Sequence, residues 1–146
     1  MSRVRPVIRR LAGCEKGMTA LEFVFLAPAL LMLVFAIIIY SFYFAAQMGL
    51  RHAAAEGARA AVAGLSSAER IALARARAQE VIDGYGSLLA AGGQKPVIAT
   101  TANGSDSFTV RLSYDMSASP IRRYAAFIPL PATTITASTV VTNGSY

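Results

Sequence analysis

One carboxylate stands at the mouth of a long uncharged stretch. Glu22 directly precedes residues 23–50, in which no side chain is charged. An acid bordering an apolar run is costly unless a cation or water meets it, and such residues usually have a function. Gly17 lies five residues earlier, behind a basic leader in which Arg3, Arg5, Arg9, Arg10 and Lys16 outweigh Glu15 by +4. Glycine has no side chain and lets a backbone extend into a narrow cleft. Leader, glycine, acid and apolar run meet in one junction, Lys16-Gly17-Met18-Thr19-Ala20-Leu21-Glu22-Phe23. Elsewhere the chemistry-bearing types are sparse. His52 is the only histidine, which excludes a multi-histidine metal site, and Cys14 is the only cysteine, which excludes an internal disulfide. Gly84-Tyr85-Gly86 lacks the third glycine of dinucleotide-binding spacing, and there is no Walker-type lysine loop. No catalytic constellation emerges. The sequence therefore predicts no enzyme, no cofactor, no metal and no small-molecule substrate.

A long apolar segment positions the junction. The 146 residues are 55% hydrophobic and 15% charged, with a net charge of +6. Hydrophobicity concentrates in residues 23–46, where only Pro28 and Ser41 fall outside the hydrophobic types. A helix of that length rises about 36 Å, enough for a hydrocarbon core of ~30 Å. No second such run exists, which excludes a polytopic transporter. The run exceeds the roughly 7–15-residue core of a secretory signal peptide, so it is expected to remain as a single-pass anchor in the lipid bilayer. Tyr40, Phe42, Tyr43 and Phe44 crowd its outer end, where amphipathic aromatics favour the membrane interface. Charge sets the direction. The leader's +4, against +2 for the rest of the chain, predicts a cytoplasmic N-terminus and an exported C-terminus. With most of the charge in the leader, no basic face remains for nucleic acid. Leu11-Ala12-Gly13-Cys14 spells a lipobox, but arginines occupy the place of the apolar stretch that must precede such a cysteine. Arg9-Arg10 is no twin-arginine signal either, because a long anchor comes after it and a small-residue cleavage site is missing. Pro28 lies inside the span, removes one N–H and frees the carbonyl of Val24, which favours a kink.

Beyond the span the stem helix is expected to continue through residue 63 and end near Gly64. Ala45, Gly49, Ala53, Gly57 and Ala61 form a small-residue ridge at i, i+4 spacing, which permits the close approach that stacked stems would need. Ser66-Ser67-Ala68-Glu69 reads as a capping box opening a second helix. Ile71, Ala74, Ala78, Val81 and Ile82 supply its apolar face, with Arg70, Arg75, Arg77 and Glu80 opposite as a solvated face. Gly84 and Gly86 end it. A strand at 97–102 then leads to Asn103-Gly104, a hairpin turn pair. Phe108, Val110, Leu112 and Tyr114 alternate with Thr109, Arg111, Ser113 and Asp115, the pattern of a half-buried strand. A connection at 116–131, holding Pro120, Pro129 and Pro131, precedes a Thr- and Val-rich closing strand at 133–142. Asn103-Gly104-Ser105 and Asn143-Gly144-Ser145 match the N-glycosylation sequon and are read as turns. The predicted fold is α+β: a long N-terminal transmembrane helix and a small head of a second helix and about three antiparallel strands, with a modest core.

The junction resembles the type III signal of prepilins. By that resemblance a membrane aspartyl prepilin peptidase cuts between Gly17 and Met18, leaving 129 residues with Glu22 as the fifth and Phe23 beside it. The fifth-position carboxylate of pilins pairs with the new N-terminal amine of a neighbouring subunit. Two charges that are costly alone in lipid or a filament core become tolerable together. Type IVa pilins and type II secretion pseudopilins usually begin with Phe and carry Thr-Leu before the glutamate. Here the run is Met18-Thr19-Ala20-Leu21-Glu22, followed by Phe23-Val24-Phe25-Leu26-Ala27-Pro28. Together with the exit Arg51-His52-Ala53-Ala54-Ala55-Glu56-Gly57-Ala58-Arg59-Ala60, it is similar to the TadE-like family, minor pilins or pseudopilins of the tight-adherence (Flp) pilus machinery.

The similarity covers roughly residues 17–62 and implies a leader at 1–17, a stem at 18–63 and a periplasmic head at 64–146. It assigns cleavage to Gly17 and Met18, subunit docking to Glu22 and Phe23, and a kink to Pro28, where a stem could loosen on leaving the bilayer for a fibre. The partners it implies are prepilin peptidase, other pilins and minor pilins, and the inner-membrane pilus assembly platform. The implied location is the bacterial inner membrane, N-terminus cytoplasmic and C-terminus periplasmic, with the surface pilus as a further destination. Two other readings fit the same segments: an unprocessed bitopic inner-membrane protein with a partner-binding periplasmic head, and a type II secretion pseudopilin.

Overall fold

The computed structural model describes residues 15–103, 107–124, 128–129 and 132–142. The elements are α1 (Glu15–Ala61), α2 (Ser67–Gly84), β1 (Val97–Asn103), β2 (Ser107–Asp115) and β3 (Thr134–Thr142). Short 3-10 turns lie at Gly86–Leu88, Ala91–Gly93 and Pro120–Tyr124. The chain divides into two compact units, Met1–Ile38 and Ile39–Tyr146, and α1 contributes to both. The class is α+β, as the sequence predicts.

In the first unit the described residues form one helix. Leu21, Phe23, Phe25, Leu26, Leu30, Leu33 and Ile37 are all exposed, although they are large and apolar. A helix apolar on every side needs lipid or other chains around it. By length and composition it can cross a membrane. Pro28 falls within α1, which is continuous across it. Pro28 has no N–H to give to the carbonyl of Val24 four residues back.

In the second unit, residues 39–61 of α1, the amphipathic α2 and the sheet enclose one core. The strands form an antiparallel meander in the order β1-β2-β3. Strict alternation decides which side of it is buried. Phe108, Val110, Leu112 and Tyr114 of β2 face inward, with Ile135 and Ala137 of β3 beside Tyr114 and Leu112. On the helical side they meet Leu50, Ala53, Ala54, Ala58, Ala74 and Ile82. Burial of Leu50, Ile82, Leu89, Val110 and Leu112 contributes about 1.5–3 kcal/mol each. The Tyr114 phenol is carried into the core and donates to the Ala91 carbonyl at 3.3 Å. Burial raises its pKa.

Local signals explain the element ends, with small departures from expectation. Ser66 caps α2: its Oγ accepts from the Glu69 N–H at 3.2 Å. The Glu69 carboxylate returns a bond to the chain at Leu65 N, 2.9 Å, one residue before the cap. Helix α2 stops at Gly84, and Gly86 follows with φ +53, a left-handed value that favours glycine. Helix α1 ends at Ala61 rather than residue 63. Its last turn tightens, with the N–H groups of Val62, Ala63 and Gly64 donating to the carbonyls of Arg59, Ala60 and Ala61 at 3.3, 3.3 and 3.1 Å. Asn103 is not the centre of a two-residue turn. It is the last residue of β1, paired with Ser107, and Gly104 and the second sequon lie outside the described residues.

Candidate functional site

Gly17 and Met18 fall in the first turns of α1, whose start is Glu15. The bond between them is therefore helical in the uncut chain. Met18 and Glu22 are spaced i, i+4 and share one face. Glu22 is exposed, and among the described residues no cation pairs with it. Phe23 follows at 69% exposure. The helix thus presents a carboxylate and an apolar rim that nothing among the described residues covers. Pro28 lies further along the same helix and does not share a face with Glu22. The lipobox-like Cys14 and the arginines before it lie outside the described residues.

The small-residue ridge has a partner inside the chain. Gly49 is buried, and a Cβ there would meet the Tyr85 ring at 3.1 Å. At Gly57 a Cβ would meet the Ala74 carbonyl oxygen at 2.9 Å and the Ala78 Cβ at 3.1 Å. Ala53 and Ala61 are buried along the same line. At Gly49 and Gly57 the ridge is therefore taken up by the turn after α2 and by α2 itself, while Ala45 is half-buried. Small residues serve close approach to a stacked stem or to α2 alike, so the sequence could not choose between them.

Polar residues reinforce this contact. Glu56, only 17% exposed, receives Arg59 at 2.7 Å and Arg77 of α2 at 3.3 Å. Arg77 also bonds Glu80 at 2.8 Å, and these bonds, Glu80 foremost, raise its pKa. Arg70 Nε donates to the Gly64 carbonyl at 2.9 Å. Two of the four charged residues expected as a solvated face thus tie α2 back to the stem or its exit. His52 Nδ1 lies 3.3 Å from the Tyr85 hydroxyl with the rings edge to face. Spacing within α2 gave no sign of these bonds, because their partners lie on α1 and in the turn after it. The Ala-rich exit as a whole resolves into buried positions, Ala53, Ala54, Gly57 and Ala58, alternating with Glu56 and Arg59 that bear the ion pairs.

Among the described residues no group of histidine, cysteine and acidic side chains could hold a metal ion. The described geometry is an exposed apolar helix with a carboxylate near its start, joined in sequence to a small α+β head. Residues 17–59 match the family model described as TadE-like protein, and over that segment the chain is similar to that family. The match begins at the junction glycine and ends at Arg59, so it takes in both Glu22 and the stem face that holds α2. Comparison with curated proteins and with solved structures returns no match.

Proposed function

We propose that this chain is a minor pilin or pseudopilin of a tight-adherence (Flp) pilus system, cut by prepilin peptidase between Gly17 and Met18. It is an enzyme's substrate and not an enzyme. Residues from Phe23 onward anchor it in the bacterial inner membrane, with the head on the periplasmic side, where the assembly platform and other pilins meet it. The observation that carries this reading is the family match, which starts at Gly17 and includes Glu22, unpaired among the described residues, at the head of an uncharged run through residue 50.

Cleavage supplies the missing partner. Removing residues 1–17 makes the Met18 nitrogen a charged amine at the start of the helix, one turn from Glu22. The helix dipole adds positive character at the same end. A carboxylate in an apolar layer gains from either its own amine or a neighbour's. Alignment of two stems with a neighbour's amine at Glu22 would then fix their axial register. Because the Gly17–Met18 bond lies in a helical turn, the first turn must unwind before a protease can reach it, which a glycine eases.

N-terminal sequencing of membrane-extracted protein from a host with the peptidase tests the processing step. The expected sequence begins Met-Thr-Ala-Leu-Glu, and Gly17→Ala is expected to leave the chain uncut. A mature chain beginning at Met1 would return the protein to the unprocessed bitopic class. Glu22→Gln is expected to be cut normally yet fail to support piliation, and full piliation by that variant overturns the docking role.

A further inference from the structure

We propose that the turn Arg122-Arg123-Tyr124 of the head is a docking surface for the phosphate headgroups of the membrane's outer leaflet. The proposal rests on the reading of α1 as a membrane anchor. Within the second unit, Ile39 is 4% exposed, so the head takes hold of α1 at its first residues. The Tyr40 hydroxyl donates to the Pro129 carbonyl. Next to Pro129, Ile128 is buried, and its N–H donates to the Tyr124 carbonyl at 3.1 Å. Two short steps therefore link Tyr40, the first aromatic at the outer end of the apolar run, to the 3-10 turn Pro120–Tyr124. Ile121 packs against the core and the Arg122 N–H donates to the Ser119 carbonyl at 3.0 Å, which fixes the turn in place.

The chemistry of that turn matches a headgroup layer. Among the described residues neither Arg122 nor Arg123 pairs with a carboxylate, whereas Arg59 and Arg77 do. Tyr124 is 52% exposed beside them. Guanidinium groups bind phosphate oxygens through paired N–H donors. Tyrosine favours the depth at which headgroups meet acyl chains. Anionic leaflets attract each nearby basic residue measurably. A span that ends in a half-buried tyrosine, linked through Pro129 and Ile128 to a turn carrying two arginines and an exposed tyrosine, has the order of groups that a headgroup layer requires.

The chain contains no tryptophan, so Tyr124→Trp creates a single indole. The full chain carrying it is reconstituted in phosphatidylcholine vesicles with and without phosphatidylglycerol, using lipids spin-labelled at the headgroup or deep in the acyl chain. The expected result is strong quenching of the position-124 indole by the headgroup label and little by the deep one. A blue shift in emission is expected when phosphatidylglycerol is present. High salt should reverse that shift, and R122E/R123E in the same background should abolish it. Leu31→Trp, near the middle of the span and exposed, reports the span and is expected to be quenched by the acyl-chain label in every vesicle. Val140→Trp, on the outer face of the sheet, is expected to stay unquenched. An unquenched indole at position 124 beside a quenched one at position 31 overturns the proposal and leaves the anchored reading standing. Both unquenched overturns the anchor, and the proposal with it. Equal quenching at positions 124 and 140 also overturns it, because the contact would then not belong to the turn.

Discussion

At Gly57 one missing methyl group sets how closely two helices approach. A Cβ there would lie 2.9 Å from the Ala74 carbonyl oxygen, which is backbone and cannot swing aside. Gly57→Leu is expected to cost about 1–3 kcal/mol through overpacking, read as a lower denaturation midpoint of the full chain in detergent. Gly84 gives the contrast. Nothing lies within 4 Å of a Cβ there, so Gly84→Ala should hold or raise the midpoint by up to ~1 kcal/mol through helix propensity alone. Thr100 makes a different case, because its hydroxyl is buried with no hydrogen-bond partner among the described residues. Thr100→Val keeps the β-branched shape and removes that unmet group, and it should stabilise by about 1 kcal/mol. At the surface, Asp83 accepts from Lys95 at 2.8 Å and Gln79 at 3.0 Å, and the Lys95 bond foremost lowers its pKa. Its folded value is below its unfolded one, so its contribution is present above the ordinary carboxylate range and lost as pH falls through the folded value. Lys95→Met is expected to move the Asp83 titration upward in a carboxylate-detected NMR series without unfolding the head.

Elements were legible where the signal was local. The Ser66 cap, the apolar stripe of α2 and the alternation of β2 are written in neighbouring residues, and each lies where its spacing puts it. Ser66→Ala should cost about 1 kcal/mol, the usual worth of a cap, and equilibrium unfolding of the full chain measures it. Contacts between elements were not legible. The ridge Gly49, Ala53, Gly57, Ala61 announces close packing but carries no address, and its occupant proved to be the chain's own α2 and Tyr85. Arg77 looked solvated because the eye compares it with Glu80 on the same helix, while Glu56 sits on another. The end of α1 moved by two residues because a short 3-10 finish satisfies the last carbonyls without further α-helix.

At the scale of the molecule, the junction was legible because its parts lie in one short run, whereas the head carries no motif to name its partner. From Glu22 to Ile38 the helix rises about 24 Å, less than the ~30 Å of a hydrocarbon core. An apolar layer must therefore reach beyond Ile38 or take in Glu22, and the second case makes a partner for the carboxylate most valuable. Which side the head occupies depends on charge. The leader's Arg3, Arg5, Arg9, Arg10 and Lys16 are expected to hold the N-terminus in the cytoplasm. The single cysteine makes this testable, because Cys14 lies on the leader side of the span. Ser138→Cys adds a second thiol on the exposed face of β3. In spheroplasts of a host without the peptidase, a membrane-impermeant maleimide should label position 138 and spare Cys14 until the membrane is opened. With the peptidase present, Cys14 should vanish from the membrane-bound chain while position 138 is labelled as before. Replacing the four leader arginines by glutamate removes the topological signal, and labelling at position 138 from outside should fall. Full external labelling at position 138 in that variant would show that the span alone, and not the leader, sets the orientation.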